Sequence, residues 1–214
     1  MFKETLAMGK YTEFFVGSFS PDGKTLAIPV EKELKLFGIA PARLKTAFNA
    51  KDYIRSIAYS PDGKTIAVGM RETVELWKTI TGDLIDTIEC DYQRRNVTYT
   101  PDVRNVIFSP DGNTLAIGMS NVTLLYDIKT QIRRHTLDGY GTILKFSPDG
   151  KTLAHGGSSH DGLVLLSDTE TGTQKYRLTG HVGTVTGIAF SADGTTLATA
   201  GADGTVLLWN LTSQ

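Results

Sequence analysis

Short runs of alternating apolar and polar residues recur along the whole chain, and each run is cut by a tight polar turn. The clearest example is the stretch 180–210, GHVGTVTGIAFSADGTTLATAGADGTVLLWN. Within it VTGIAFS, TTLATAG and TVLLWN alternate with a period of two, and each is separated from the next by an Ala-Asp-Gly triplet. Period-two runs bounded by such triplets predict three antiparallel strands joined tightly. The first turn, Ser191-Ala192-Asp193-Gly194, suits a type I turn closed by a glycine at positive φ, where any Cβ would be strained.

Four more copies of that turn precede it: Ser20-Pro21-Asp22-Gly23, Ser60-Pro61-Asp62-Gly63, Ser109-Pro110-Asp111-Gly112 and Ser147-Pro148-Asp149-Gly150. Proline supplies the fixed φ that the second turn position prefers. An aromatic residue stands before every copy, and an apolar pair such as Leu26-Ala27 follows the glycine with two residues between. The turn serines Ser20, Ser60, Ser109, Ser147 and Ser191 are spaced by 40, 49, 38 and 44 residues. A period of roughly 40 to 45 residues with four short strands per repeat is the signature of propeller blades.

The last repeat resembles the WD40-repeat family residue by residue, with Gly180-His181, the strand pair around SADG, Asp203-Gly204 and Trp209-Asn210 where the family has Trp-Asp. The resemblance implies an all-β, WD40-like β-propeller, and it carries the family's structural tetrad onto His181, Thr199, Asp203 and Trp209. At the tryptophan position the earlier repeats carry Phe37, Trp77, Tyr126 and Ser167; at the histidine position they carry Lys10, Ala50, Tyr99 and Asp138. A buried hydrogen-bond network is therefore expected in the fifth repeat alone, with apolar packing holding the other four.

The first and last repeats are incomplete in complementary ways. Residues 2–8 alternate like an outermost strand that lacks its own blade, and the fifth repeat ends after its third strand. The expectation is one domain over residues 1–214 with five four-stranded blades per chain, the N-terminal strand completing the C-terminal blade. Closure of this kind removes exposed sheet edges. Five blades in one ring require about 72° each and ten require about 36°, while the WD40 resemblance implies seven at about 51°. A homodimer by strand exchange, two chains sharing a ten-bladed ring, is accordingly a second expectation.

Composition narrows the function. The chain has 214 residues, 40% apolar content and a net charge of −1, enough for a sizeable core but without the clustered cationic surface that phosphate binding needs. Nucleic acid is not an expected partner. No apolar run reaches membrane-spanning length, and the N-terminus lacks the pattern of a secretory leader, so a cytoplasmic location without membrane contact is expected. Cys90 is the sole cysteine, which rules out a disulfide within the chain.

Two segments carry candidate chemistry. About nine extra residues separate the second and third repeats, and this insertion, 91–100, contains Tyr92, Arg94, Arg95 and Tyr99. Tyrosine and arginine are the residues most enriched at binding hot spots, so these four are the candidate partner contacts; a plain extended hairpin is the competing reading. The turn HGGSSHDG, 155–162, gathers His155, His160, Asp161 and two serines, ingredients of a metal site or a hydrolytic triad. Against this, the WD40 resemblance gives His155 and Asp161 structural places, and the segment leads into a strand rather than the helix a nucleophile elbow requires. No catalytic residue, metal ligand or cofactor is assigned.

The leading expectation is a non-catalytic interaction scaffold for another protein or peptide. A self-assembling propeller unit is the alternative. A hydrolase or lyase with a central-channel site ranks below both, because the innermost runs FFVGSFS, IRSIAYS, VRNVIFS, GTILKFS and VTGIAFS are nearly empty of histidine and acidic residues.

Overall fold

The computed structural model describes residues 17–94, 97–99, 102–157 and 161–212, with 92–94 and 97–99 described by backbone alone. Among the described residues there are strands and no helix, and no helix is long and apolar enough to cross a membrane. The chain divides into two compact units after Val103.

The first unit holds two four-stranded antiparallel meanders: β1 (Ser18–Phe19), β2 (Thr25–Val30), β3 (Glu33–Ile39) and β4 (Ala42–Asn49), then β5 (Ser56–Tyr59), β6 (Thr65–Gly69), β7 (Thr73–Lys78) and β8 (Leu84–Glu89). A separate two-stranded sheet follows, β9 (Tyr92–Arg94) and β10 (Val97–Tyr99). The second unit begins one residue into β11 (Val103–Phe108) and holds the rest of that strand with β12 (Thr114–Met119), β13 (Val122–Asp127) and β14 (Ile132–Asp138), followed by β15 (Ile143–Phe146), β16 (Thr152–Gly156), β17 (Val164–Asp168) and β18 (Gln174–Leu178). Its last sheet has three described strands, β19 (Val185–Phe190), β20 (Thr196–Gly201) and β21 (Val206–Asn210). These five sheets are the blades of a WD40-like propeller. The strand expected at residues 2–8, and its pairing with the fifth sheet, fall outside the described residues.

Every blade opens on the same turn, closed by side chains only two residues apart. Ser20 Oγ donates to Asp22 Oδ1 at 2.6 Å, Asp22 Oδ1 accepts the Lys24 backbone N–H, and Ser20 Oγ accepts that of Thr25. The other four copies repeat the serine–aspartate bond at 2.5 to 2.6 Å. The closing glycines all have positive φ, from 67° at Gly23 to 75° at Gly112, which a side chain would strain. The serine hydroxyl, ahead of the backbone N–H, holds each turn carboxyl below its ordinary range, and Asp193 falls to about 2.

A second feature recurs at the outer strands. The register shifts between Leu36 and Phe37, Leu76 and Trp77, Leu125 and Tyr126, and Leu166 and Ser167, one bulge per four-stranded blade. Each bulge lies beside the position where the family keeps its tryptophan, and bulges bend the strand and increase local twist.

Side chains on the two faces of each sheet divide by the same period-two rule. One face carries a cross-strand alanine–leucine pair: Ala27–Leu36, Ala67–Leu76, Ala116–Leu125, Ala154–Leu166 and Ala198–Leu208. The opposite face carries a larger apolar residue beside an aromatic, such as Ile66 with Trp77 or Leu197 with Trp209. The core forms where the alanine–leucine face of one sheet meets the aromatic face of the next. One cluster joins Ala27 and Leu36 to Ile66, Tyr59 and Trp77; a second joins Ala116 and Leu125 to Phe146 and Leu153; a third joins Ala154 and Leu166 to Leu197, Phe190 and Trp209. Small alanines let neighbouring sheets approach, and each enclosed leucine contributes about 2 kcal/mol of hydrophobic stabilisation.

Candidate functional site

Four side chains of the fifth sheet line up in one hydrogen-bonded series. His181 precedes β19, Thr199 is on β20, Asp203 lies in the turn after β20, and Trp209 is on β21. Trp209 Nε1 donates to Thr199 Oγ1 at 2.9 Å, Thr199 Oγ1 meets His181 Nε2 at 2.8 Å, and His181 Nδ1 meets Asp203 Oδ2 at 3.0 Å. One order of protons satisfies all three links: indole N–H to hydroxyl, hydroxyl to Nε2, Nδ1–H to carboxylate. Asp203 also accepts the Thr205 hydroxyl at 2.7 Å and the backbone N–H groups of Thr205 and Val182. Those donors, the Thr205 hydroxyl first, hold its carboxyl well below the usual carboxylate range. A Cβ on Gly201 would overlap the His181 ring, so glycine there is a requirement of close approach.

The fourth sheet has a shorter version of this arrangement with the partners exchanged. His155 occupies the register position of Thr199, and Ser167 occupies that of Trp209. In the fifth sheet the hydroxyl is on the middle strand and the ring on the outer one. Here the ring is on the middle strand and the hydroxyl on the outer, and His155 Nε2 lies 3.0 Å from Ser167 Oγ. His155 is fully buried, and that burial, partly offset by the backbone at Tyr140, pushes its pKa down to about 4. Its Nδ1 has no partner of good hydrogen-bond geometry. The second sheet keeps a polar link of its own: Trp77 Nε1 donates to the buried Glu75 at 3.1 Å, while the indole stacks on Phe48 at 5.7 Å and 4°. The expectation that apolar packing alone holds the first four repeats is thus corrected for sheets two and four.

The same geometry bears on the HGGSSHDG turn. His155 is enclosed and its Nε2 is taken by Ser167, while Asp161 Oδ1 accepts the Leu163 backbone N–H at 3.3 Å. Residues 158–160, with His160, lie outside the described residues. Among the described residues no group of three His, Cys, Asp or Glu side chains is arranged to hold a metal ion.

The insertion carrying Tyr92, Arg94, Arg95 and Tyr99 contains the β9–β10 hairpin. Its backbone register pairs Tyr92 with Tyr99 and Arg94 with Val97; Arg95 is in the connection, outside the described residues. This hairpin stands as a two-stranded sheet of its own rather than as a fifth strand of either neighbouring blade.

One groove had no counterpart in the reading of the sequence. It has a volume of about 550 Å³ and lies between the fourth and fifth sheets of the second unit, with Leu166, Tyr176, Phe190 and Leu211 among its lining and Asp149, Lys175 and Asp193 at its polar edge. Lys175 is held by Asp168 at 2.8 Å. Asp149 and Asp193 read in sequence as turn formers, and in both Oδ1 does take the turn's hydrogen bonds. Nothing local to either turn announces a groove, because its walls come from two repeats.

Comparison with known families agrees with this architecture. The family model for the WD domain, G-beta repeat (WD40) matches residues 42–78 and 172–210. Each match runs from an outermost strand through the next three strands and ends one residue past an indole, Trp77 or Trp209. No curated protein sequence matches the chain. The recurring serine–aspartate turns and the five meander sheets agree with the two matched segments: the chain carries WD40 repeats at residues 42–78 and 172–210, and its remaining sheets repeat their pattern.

Proposed function

We propose that the chain is a non-catalytic protein-interaction module that takes hold of a protein or peptide through the hairpin at residues 92–99. WD40 repeats generally serve as interaction modules, and the two matched segments bring that general role to this chain. The single observation behind the finer reading is the separate β9–β10 sheet, an element that the blades do not need for their own pairing. It joins two blades and bears Tyr92, Arg94 and Tyr99, side-chain types that dominate binding energy where they occur at interfaces. In this reading His181, Thr199, Asp203 and Trp209 are structural: they stiffen the fifth blade and do not touch the partner.

The test compares two immobilised forms of the full chain, the native protein and a variant with Tyr92→Ser, Arg94→Ser, Arg95→Ser and Tyr99→Ser. Proteins crosslinked from a cell extract are quantified on each by mass spectrometry. The reading expects a small set held by the native chain and depleted at least tenfold on the variant. An identical set on both would refute the hairpin as the contact surface, provided that both forms unfold at the same temperature.

A further inference from the structure

We infer, resting on the hairpin reading above, that the base of the β9–β10 hairpin takes an acidic peptide segment of the partner, whose carboxylates are gripped by Arg55 and Arg71. Both ends of the insertion are tied to one turn of the first unit. Cys90 N–H donates to the Glu72 carbonyl at 2.9 Å where the chain leaves β8, and Val103 N–H donates to the Arg71 carbonyl at 3.0 Å where it enters β11. The β6–β7 turn that carries Arg71 and Glu72 is therefore the platform of the hairpin. Arg55 is fixed to the same sheet, its backbone N–H donating to the Gly69 carbonyl at 2.8 Å.

Two guanidinium groups share one carboxylate at this base. Arg55 Nη1 lies 3.3 Å from Asp102 Oδ2, and Arg71 Nε lies 3.6 Å from Asp102 Oδ1 and 3.9 Å from Glu72 Oε1. Tight charge-assisted pairs are closer, at about 2.7 to 2.9 Å, and a guanidinium carries five N–H donors in a fork that fits a carboxylate two bonds at a time. Each contact here engages a single nitrogen at longer range. Asp102 thus shows which group the pair accepts, one carboxylate with an oxygen toward each arginine, and holds it loosely enough to be displaced. The backbone of the hairpin adds an apolar side to this cationic base. Its register puts Tyr92, Arg94, Val97 and Tyr99 on one face and Gln93 and Thr98 on the other. Tyr99 is within about 10 Å of Asp102, the most that the three intervening steps of chain can span. The sign and size of the charge select the partner. The insertion and its base hold Arg55, Arg71, Arg94 and Arg95 against Glu72, Asp91 and Asp102, four positive charges against three negative in a chain whose net charge is −1. A surplus of one positive charge suits a monoanionic carboxylate, whereas a phosphate dianion would meet three resident carboxylates. Arginine clusters are a recurring means of reading acidic motifs.

The test is fluorescence anisotropy of a labelled peptide of repeating Glu-Tyr-Gly units titrated with the full chain. Two control peptides replace every glutamate, one with glutamine and one with phosphoserine. The native chain is expected to hold the glutamate peptide at least roughly tenfold tighter than the glutamine one, with an affinity that falls as salt rises. Arg55→Gln combined with Arg71→Gln should abolish that preference at an unchanged unfolding midpoint. Asp102→Asn removes the resident competitor and should tighten the glutamate peptide by roughly threefold. The inference is overturned if the native chain binds neither peptide, binds both equally or favours the phosphoserine one, if the preference survives in the arginine double variant, or if Asp102→Asn weakens binding. Tyr92→Ser with Tyr99→Ser separates this inference from the reading beneath it. Binding lost there but kept in the arginine double variant overturns the arginine grip and leaves the hairpin as the contact. Binding lost with the arginines but kept without the tyrosines supports the grip and refutes the hairpin.

Discussion

Replacing Thr199 with valine isolates the hydrogen-bonded series of the fifth sheet, because valine matches threonine in shape and lacks only the hydroxyl. Thr199 is buried, and its Oγ1 is the midpoint of the series, 2.8 Å from His181 Nε2 and 2.9 Å from Trp209 Nε1. Without it the accepting Nε2 of His181 faces only another acceptor, the Thr199 carbonyl at 3.2 Å, and the indole N–H loses its acceptor. Each buried polar group left unpaired costs about 1 to 3 kcal/mol. Trp209 is half-buried and recovers part of its loss from water, so the expected total is about 3 kcal/mol. At roughly 2 to 4 °C per kcal/mol for a chain of this size, the midpoint of thermal unfolding should fall by roughly 6 to 12 °C. Thr199→Ser keeps the hydroxyl and loses one methyl, worth about 1 kcal/mol, so its midpoint should fall by no more than about 4 °C. Circular dichroism melts give both numbers, and Trp209 emission in a Trp77→Phe background reports the local change. If Thr199→Val melts within about 2 °C of the native chain, or Thr199→Ser is as damaged as Thr199→Val, the series does not hold the blade.

Two further predictions follow from burial. His155 is neutral in the folded chain down to about pH 4, whereas its ordinary value is 6.5. The unfolded chain takes up that proton first, so the stability present above pH 6.5 is lost as pH falls from 6.5 to 4, by about 3 kcal/mol in all. The turn aspartates have depressed values and act below 3.8, so their loss comes at lower pH. Denaturant melts of His155→Thr should be flatter than native ones between pH 6.5 and 4, and an unchanged slope would remove His155 as the cause. The second prediction compares equivalent leucines: Leu125→Ala should cost about 2 to 5 kcal/mol, and Leu208→Ala less than about 1 kcal/mol. Equal costs in urea unfolding would mean that the fifth sheet's face is covered within one chain.

Much of this protein is written locally. The Ser–Asp bonds of the five turns join residues two apart, and the glycine that closes each turn has a backbone angle only glycine adopts freely, so a single pass along the chain finds every blade. His181, Thr199, Asp203 and Trp209 are named through the resemblance of the last repeat to the WD40 family, and the structure adds the hydrogen bonds that join them. The His155–Ser167 contact was not legible, because it exchanges ring and hydroxyl between strands and appears only when register places them 3.0 Å apart. The Glu75–Trp77 bond and the groove at Tyr176 and Phe190 are likewise products of packing.

The alanine–leucine pairs mark the boundary most clearly. In sequence Leu36, Leu76, Leu125, Leu166 and Leu208 are the same residue in the same pattern, and alternation alone assigns all five to an apolar face. Four are enclosed and the fifth is open. Alternation specifies which way a side chain points, since that is a property of one strand. Burial requires a second surface, and only the tertiary structure decides whether one is there.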